Sequence, residues 1–221
     1  MGLKRHSDHP LAAVLATVSP SCCPTRLNFH CHTIHSDGSL RPEQLADQAI
    51  AIGLEHLAVT DHHAIEGSNR VAAALAAACN RGQAVPTLWR GVEISCLLEG
   101  CLVHVLALGF AKEHPSLHPY LQGSSVVGQQ LKAEAVLEAV HAADGLALLA
   151  HPARYRLPFS TLIGAAAELG FDGAEAWYDY NLQPRWQATP LVCAAIARDL
   201  DRRGLLQSCG TDTHGLALHG R

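Results

Sequence analysis

Short apolar runs that alternate with segments of helical periodicity constrain this chain most. Residues 57–60 read as a short buried strand, and 146–150, 173–177 and 205–209 as further short strands between the periodic segments. Between them, 42–53, 68–81, 132–143, 159–169 and 189–203 carry helix spacing, and several open on proline or close on glycine. Residues 27–32 alternate apolar and polar side chains, which predicts a strand, and 89–96 and 102–110 form two more joined by a turn at Glu99-Gly100. Strands alternating with helices of this length predict βα units around a parallel sheet. About seven strands in 221 residues suit a compact α/β fold, a distorted (β/α)7 barrel, better than an open sheet.

Ahead of the first strand, 1–26 reads as an N-terminal extension, and 27–221 as one domain. The extension has a charged start, Lys4 and Arg5, and an apolar run over 11–18, the outline of a short signal peptide. His6, Asp8, His9 and Pro10 break the approach to that run, so a short helix packed on the body is the better expectation. No segment reaches the ~18 apolar residues of a membrane span. Eight scattered cysteines predict reduced, mostly buried thiols in a cytoplasmic protein rather than a disulfide framework. Cys96 and Cys101 flank the turn, but no second pair is evident to complete a structural zinc site. A net charge of −4 provides no broad field for nucleic acid or anionic membrane.

Histidine is the unusual component, with 15 residues against 16 Lys and Arg together. In a βα barrel, functional side chains gather at the C-terminal ends of the strands. Here those positions hold His30, His32 and Asp37, then Asp61-His62, then Glu93, then His151-Pro152, and last Asp212-Thr213-His214. His104 lies within a neighbouring strand between Val103 and Val105. Alone, each histidine reads as a solvated or satisfied residue. Together, so many ionisable groups at one rim need cations to compensate them. Imidazole and carboxylate without paired cysteines suit zinc, manganese or iron(II). At least eight ligands are too many for one ion, so two or three divalent metals are expected, with Glu93 bridging. Glu175, Trp177 and Tyr178 either line the pocket or form a packed group. His35 and His63 are expected beside the site or in solvent, and His6, His9, His56, His114, His118, His141 and His219 at the surface or in tails.

The ordered set His30-Cys31-His32, Ser36-Asp37-Gly38, Thr60-Asp61-His62, Gly91-Val92-Glu93-Ile94-Ser95, Val103-His104, His151-Pro152 and Asp212-Thr213-His214 resembles the polymerase and histidinol phosphatase (PHP) family. The resemblance runs from Asn28 to Gly215. It implies a metal-dependent phosphoesterase in which His30, His32, Glu93 and Asp212 hold one ion, Glu93, His104 and His151 a second, and Asp37, His62 and His214 a third. Two departures stand out. Asn28 replaces a frequent aspartate, with an effect expected only through neighbouring groups. The span 111–132 is a much reduced insertion where similar relatives carry a long helical one. The implied reaction is hydrolysis of a phosphomonoester of a small molecule or nucleotide by a metal-bridging hydroxide. Arg154, three residues after His151, would grip the phosphate, with Asp212 among the ligands, and either a metal-bound water or His214 once free of metal would protonate the leaving group. Two rivals remain: a 5'-3' exonuclease trimming oligonucleotides, and a non-catalytic metal-binding regulatory domain. A nucleic-acid partner ranks second because Arg and Lys are dispersed and aromatics few.

Overall fold

Proline at the first helical position and a left-handed glycine at the end delimit two of the helices. Pro42 opens α2 (Pro42–Ile52) and Gly53 closes it at φ 80°; Pro190 opens α6 (Pro190–Arg203) and Gly204 closes it at φ 67°. The computed structural model describes residues 8–220, so Lys4, Arg5 and His6 lie outside the described residues. The remaining helices are α1 (Pro10–Leu15), α3 (Glu66–Asn80), α4 (Ala133–Ala142) and α5 (Phe159–Leu169). The strands are β1 (Leu27–Asn28), β2 (His56–Val59), β3 (Thr87–Leu98), β4 (Cys101–Leu108), β5 (Leu146–Leu149), β6 (Gly173–Trp177) and β7 (Leu206–Cys209).

The strands follow chain order across one seven-stranded sheet. The barrel nearly closes where β1 continues past its ladder with β2. There Phe29 N–H donates to Cys209 O at 2.9 Å and His32 N–H to Thr213 O at 3.1 Å. Every residue of β5 and β6 is buried, as strands covered on both faces must be. Leu45, Ala49, Val71 and Leu75 of α2 and α3 pack on Leu57 and Val59 of β2. The larger cluster, with Val105, Leu148, Ile163 and Ile196, fills the rest.

The sheet is not all parallel, which corrects the expectation from sequence. β4 runs antiparallel to both β3 and β5. The cause is the turn itself: Glu99 and Gly100 take φ 52° and 65°, a two-residue hairpin that leaves no chain for a crossover helix. β3 is also longer than expected. It pairs with β2 only over 87–90, and its upper half continues with β4 alone. Glu93 and His104 therefore sit mid-strand, and an isolated bridge from His62 to Glu93 sets Glu93 level with the end of β2.

The extension places α1 against the body. His9 caps it, its Nδ1 accepting from Leu11 N–H at 3.1 Å while Nε2 lies 3.3 Å from Gly109 O. His9, His56, His114 and His141 are half-buried rather than at the surface, whereas His118 and His219 are exposed. The segment 111–132 is a packed strap: Leu117 and Tyr120 are buried, and Gly123 N–H donates to His63 O at 2.9 Å.

Gly210 marks the tightest approach under the site. A Cβ there would collide with His30 Cβ and stand 2.7 Å from the His30 amide nitrogen. Both neighbours belong to the β1 continuation, so neither can swing away. Gly210→Ala should cost about 1–3 kcal/mol, the usual penalty for overpacking, read as a lower urea midpoint. An unchanged midpoint would mean that β1 is not held against the residues after β7.

Candidate metal centre

The ends of β1, β2, β5 and β7 and the middles of β3 and β4 point their polar side chains into one cleft of about 320 Å³. Asp37, His62, Glu93, His104, His151, Arg154, Tyr155, Asp212 and His214 line it, and His30 and His32 lie buried beneath. All nine candidate ligands and Arg154 are thus gathered at one place.

Glu93 is the centre of the cluster. Its Oε2 lies 3.0 Å from His30 Nε2, 3.1 Å from His32 Nε2 and 3.4 Å from His62 Nε2. Its Oε1 lies 2.8 Å from His104 Nδ1 and 3.2 Å from His151 Nε2. Asp212 Oδ1 is 3.2 Å from His30 Nε2 and 3.1 Å from His32 Nε2. At the exposed edge, Asp37 Oδ2 lies 3.2 Å from His214 Nε2 and 3.7 Å from His62 Nε2.

Three sets have donor atoms all within 4.8 Å of one another: His30, His32, Glu93 and Asp212; His62, Glu93 and His104; and His32, Asp37, His62 and His214. The first coincides with a set implied by the family resemblance. The third adds His32, and the second has His62 where the resemblance places His151. His151 belongs to none of the three, although it touches Glu93.

The charges in this cluster are strongly coupled. Burial alone would push His30 down, but Glu93, Glu175 and Asp212 hold it well above its usual value. His32, equally buried, is raised to about 9 by Asp212 and Glu93. Burial opposes ionisation of Glu93 and Asp212, yet the imidazoles keep both carboxyls well below their usual range. His62 goes the other way, to about 4, because burial outweighs the attraction of Glu93.

The donor set fits cations better than it fits protons. One carboxylate offers about four acceptor sites, and five imidazole nitrogens crowd within 3.4 Å of Glu93. A neutral imidazole nitrogen without its proton repels a carboxylate oxygen, whereas a cation between them satisfies both. His151 Nδ1 is buried without a partner, as a ring turned toward Glu93 by its other nitrogen would be. Nitrogen and oxygen donors without thiolates select borderline or hard divalent ions.

The surrounding contacts hold these side chains in place. Asp212 sits at φ 50° and His151 at φ 27°, backbone conformations that ordinary residues keep only when their neighbours enforce them. Tyr178 O–H donates to Asp212 Oδ2 at 2.6 Å, and Arg154 Nη1–H donates to the same oxygen at 2.9 Å and to Tyr178 Oη at 2.9 Å. Asp61, fully buried, accepts from Thr33 N–H at 2.6 Å and Ser36 O–H at 2.8 Å, which pins the loop carrying Asp37. His63 lies behind the site, its ring nitrogens near Tyr120 O and Ser95 Oγ. Asn28 bonds Thr211 through both side-chain atoms, and its Oδ1 also accepts from the His30 backbone N–H at 3.3 Å.

Of the pocket-or-packing trio, Trp177 packs in the core and Tyr178 reaches Asp212. Glu175 is fully buried behind His30. Tyr155, which sequence reasoning did not single out, lines the cleft and accepts from His104 N–H at 2.8 Å.

Residues 28–115 match the PHP domain. Among known proteins, the chain is 34% identical over 142 residues to a 5'-3' exoribonuclease of Haemophilus influenzae, covering 59% of this chain and 50% of that protein. It is 38% identical over 91 residues to a 3',5'-nucleoside bisphosphate phosphatase of Chromobacterium violaceum, covering 41% of this chain and 30% of that one. The chain thus spans half or less of the length of these relatives. Among solved structures, an amidohydrolase from Chromobacterium violaceum with bound sulfate superposes with TM-score 0.69 at 23% identity, covering 86% of this chain and 88% of that one. A protein assigned as a metal-dependent phosphoesterase from Bifidobacterium adolescentis gives TM-score 0.68 at 21% identity and 90% of both chains. At these identities the structural likeness concerns the fold.

Proposed function

We propose that this chain, which carries a PHP domain over residues 28–115, is a metal-dependent phosphoesterase hydrolysing a phosphomonoester of a small molecule or nucleotide. The observation that carries this reading is the Glu93 carboxylate surrounded by five imidazoles at the floor of an open cleft. His30, His32, Glu93 and Asp212 would hold one ion, Glu93 and His104 with His62 or His151 a second, and Asp37, His62 and His214 a third. Manganese, zinc or iron(II) bound there supplies a water of lowered pKa and neutralises charge on the phosphoryl oxygens.

The chain's own residues do the rest. Arg154 lines the cleft with its Nη1 on Asp212 and Tyr178, and its remaining donors would suit a terminal phosphate. Tyr178 steadies both partners. His214 stands at the half-exposed side of the cleft and would pass a proton to the departing oxygen only while it holds no ion. The free cysteines support a cytoplasmic setting. Among the described residues no helix is long and apolar enough to cross a membrane.

Removing a charge-assisted hydrogen bond costs about 1.5–3 kcal/mol, or roughly ten- to a hundredfold. Arg154→Ala should therefore raise KM by that factor, with metal content unchanged. A KM equal to wild type would place the guanidinium outside the phosphate site.

The reading is tested by screening manganese-reconstituted protein against phosphomonoesters and bis-phosphorylated nucleosides. Turnover should vanish with a chelator and return with manganese. Full metal loading with no turnover would favour a regulatory metal-binding domain instead. The exoribonuclease relatives favour a second reading, trimming of RNA from its 5' end. A 5'-phosphorylated oligoribonucleotide in the same screen distinguishes the two. The small-molecule reading stays first because a net charge of −4 offers little to a polyanion.

A further inference from the structure

Glu175 is a fully buried carboxylate that none of the candidate ligand sets includes. It sits at the middle of β6, the one strand without a candidate ligand of its own among the described residues. Its Oε1 and Oε2 lie 3.1 and 3.2 Å from His30 Nδ1, the ring nitrogen facing away from Glu93. Oε2 also accepts from the backbone N–H of His151 at 2.9 Å. A single side chain thus touches two candidate ligand residues that arrive from opposite sides, β1 and β5. The second contact falls on a residue held at φ 27°.

We propose that Glu175 is the positioning residue of this centre, fixing His30 with Nδ1 as hydrogen-bond donor and Nε2 as ligand, and holding the His151 backbone in its left-handed turn. This rests on the proposed metal-centre reading. An imidazole has two nitrogens, and only the bare one can bind a cation; the partner of the other nitrogen decides which that is. Nε2 of His30 points at Glu93 and Asp212, so the proton must stay on Nδ1, and a carboxylate is the strongest acceptor available to hold it there. Burial makes the contact rigid: shut off from bulk solvent, Glu175 has few alternatives to His30 and the His151 amide.

The test is zinc titration of wild type, Glu175→Gln and Glu175→Ala, combined with the ring-nitrogen NMR spectrum of the zinc-loaded proteins. Glutamine keeps the volume and one acceptor, so it guards against an alanine variant that fails to fold. Zinc affinity at the tightest site should fall about 10–100-fold in Glu175→Ala, the range for lost partners of metal ligands, and less in Glu175→Gln. The His30 Nδ1–H signal, present and strongly hydrogen-bonded in wild type, should shift in Glu175→Gln. Folded variants with wild-type affinity and an unmoved His30 signal would overturn the proposal, even if their melting temperatures dropped, because a structural role alone predicts that pattern. A wild type that takes up no zinc would instead remove the metal-centre reading, and the inference with it.

Discussion

Glu93→Gln should lower kcat/KM by a thousandfold or more, about 4 kcal/mol at 1.36 kcal/mol for each factor of ten. Glutamine fills the same volume but has one acceptor oxygen and no charge, and Glu93 is the group that all five imidazoles share. Breaking a buried ion pair ordinarily costs about 3–5 kcal/mol, which would threaten the fold. Here the stranded partners are imidazoles, which shed their extra proton near neutrality, so the stability loss should be smaller than the activity loss. A pH test separates the two effects. His32 is raised to about 9 in the folded metal-free protein against an ordinary 6.5. Its stabilising contribution is therefore complete below pH 6.5 and disappears as pH climbs through 9. Metal-free wild type should lose stability across that window, and Glu93→Gln should lose less. Equal losses would mean that Glu93 does not hold the imidazolium.

Asp212→Ala should abolish turnover and also destabilise the protein, whereas Asp212→Asn should abolish turnover with stability near wild type. Oδ1 faces His30 and His32, so either change removes a ligand. Oδ2 anchors Tyr178 and Arg154. Asparagine retains an acceptor for the Tyr178 hydroxyl; alanine removes that hydrogen bond, at about 1–3 kcal/mol. The left-handed backbone at Asp212 favours asparagine for the same reason, since a short polar side chain tolerates it better than alanine does. Retained turnover in either variant, with the fold intact, would remove Asp212 from the centre.

The strand and helix order was readable because apolar runs and periodic segments alternate cleanly, and glycine and proline mark their limits. Convergence of His30, His62, Glu93, His104, His151 and Asp212 could be anticipated from their places along the strands. The direction of β4 required weighing a two-residue turn against the pattern of its neighbours, and the pattern misled. Contacts behind the ligands were not readable at all. Glu175 meets His30 across 145 residues of chain, and Tyr178 meets Asp212 across 34; neither spacing has any periodicity to betray it. His9 looked like a tail residue because its capping partner and Gly109 come together only when α1 packs on the body.

The centre is most directly tested by anomalous scattering from crystals of the zinc-loaded protein. Two or three zinc peaks should fall in the cleft, with Glu93 oxygens about 2.0–2.2 Å from at least two of them. A cleft without anomalous density, or zinc bound only at surface histidines such as His118 and His219, would contradict the account.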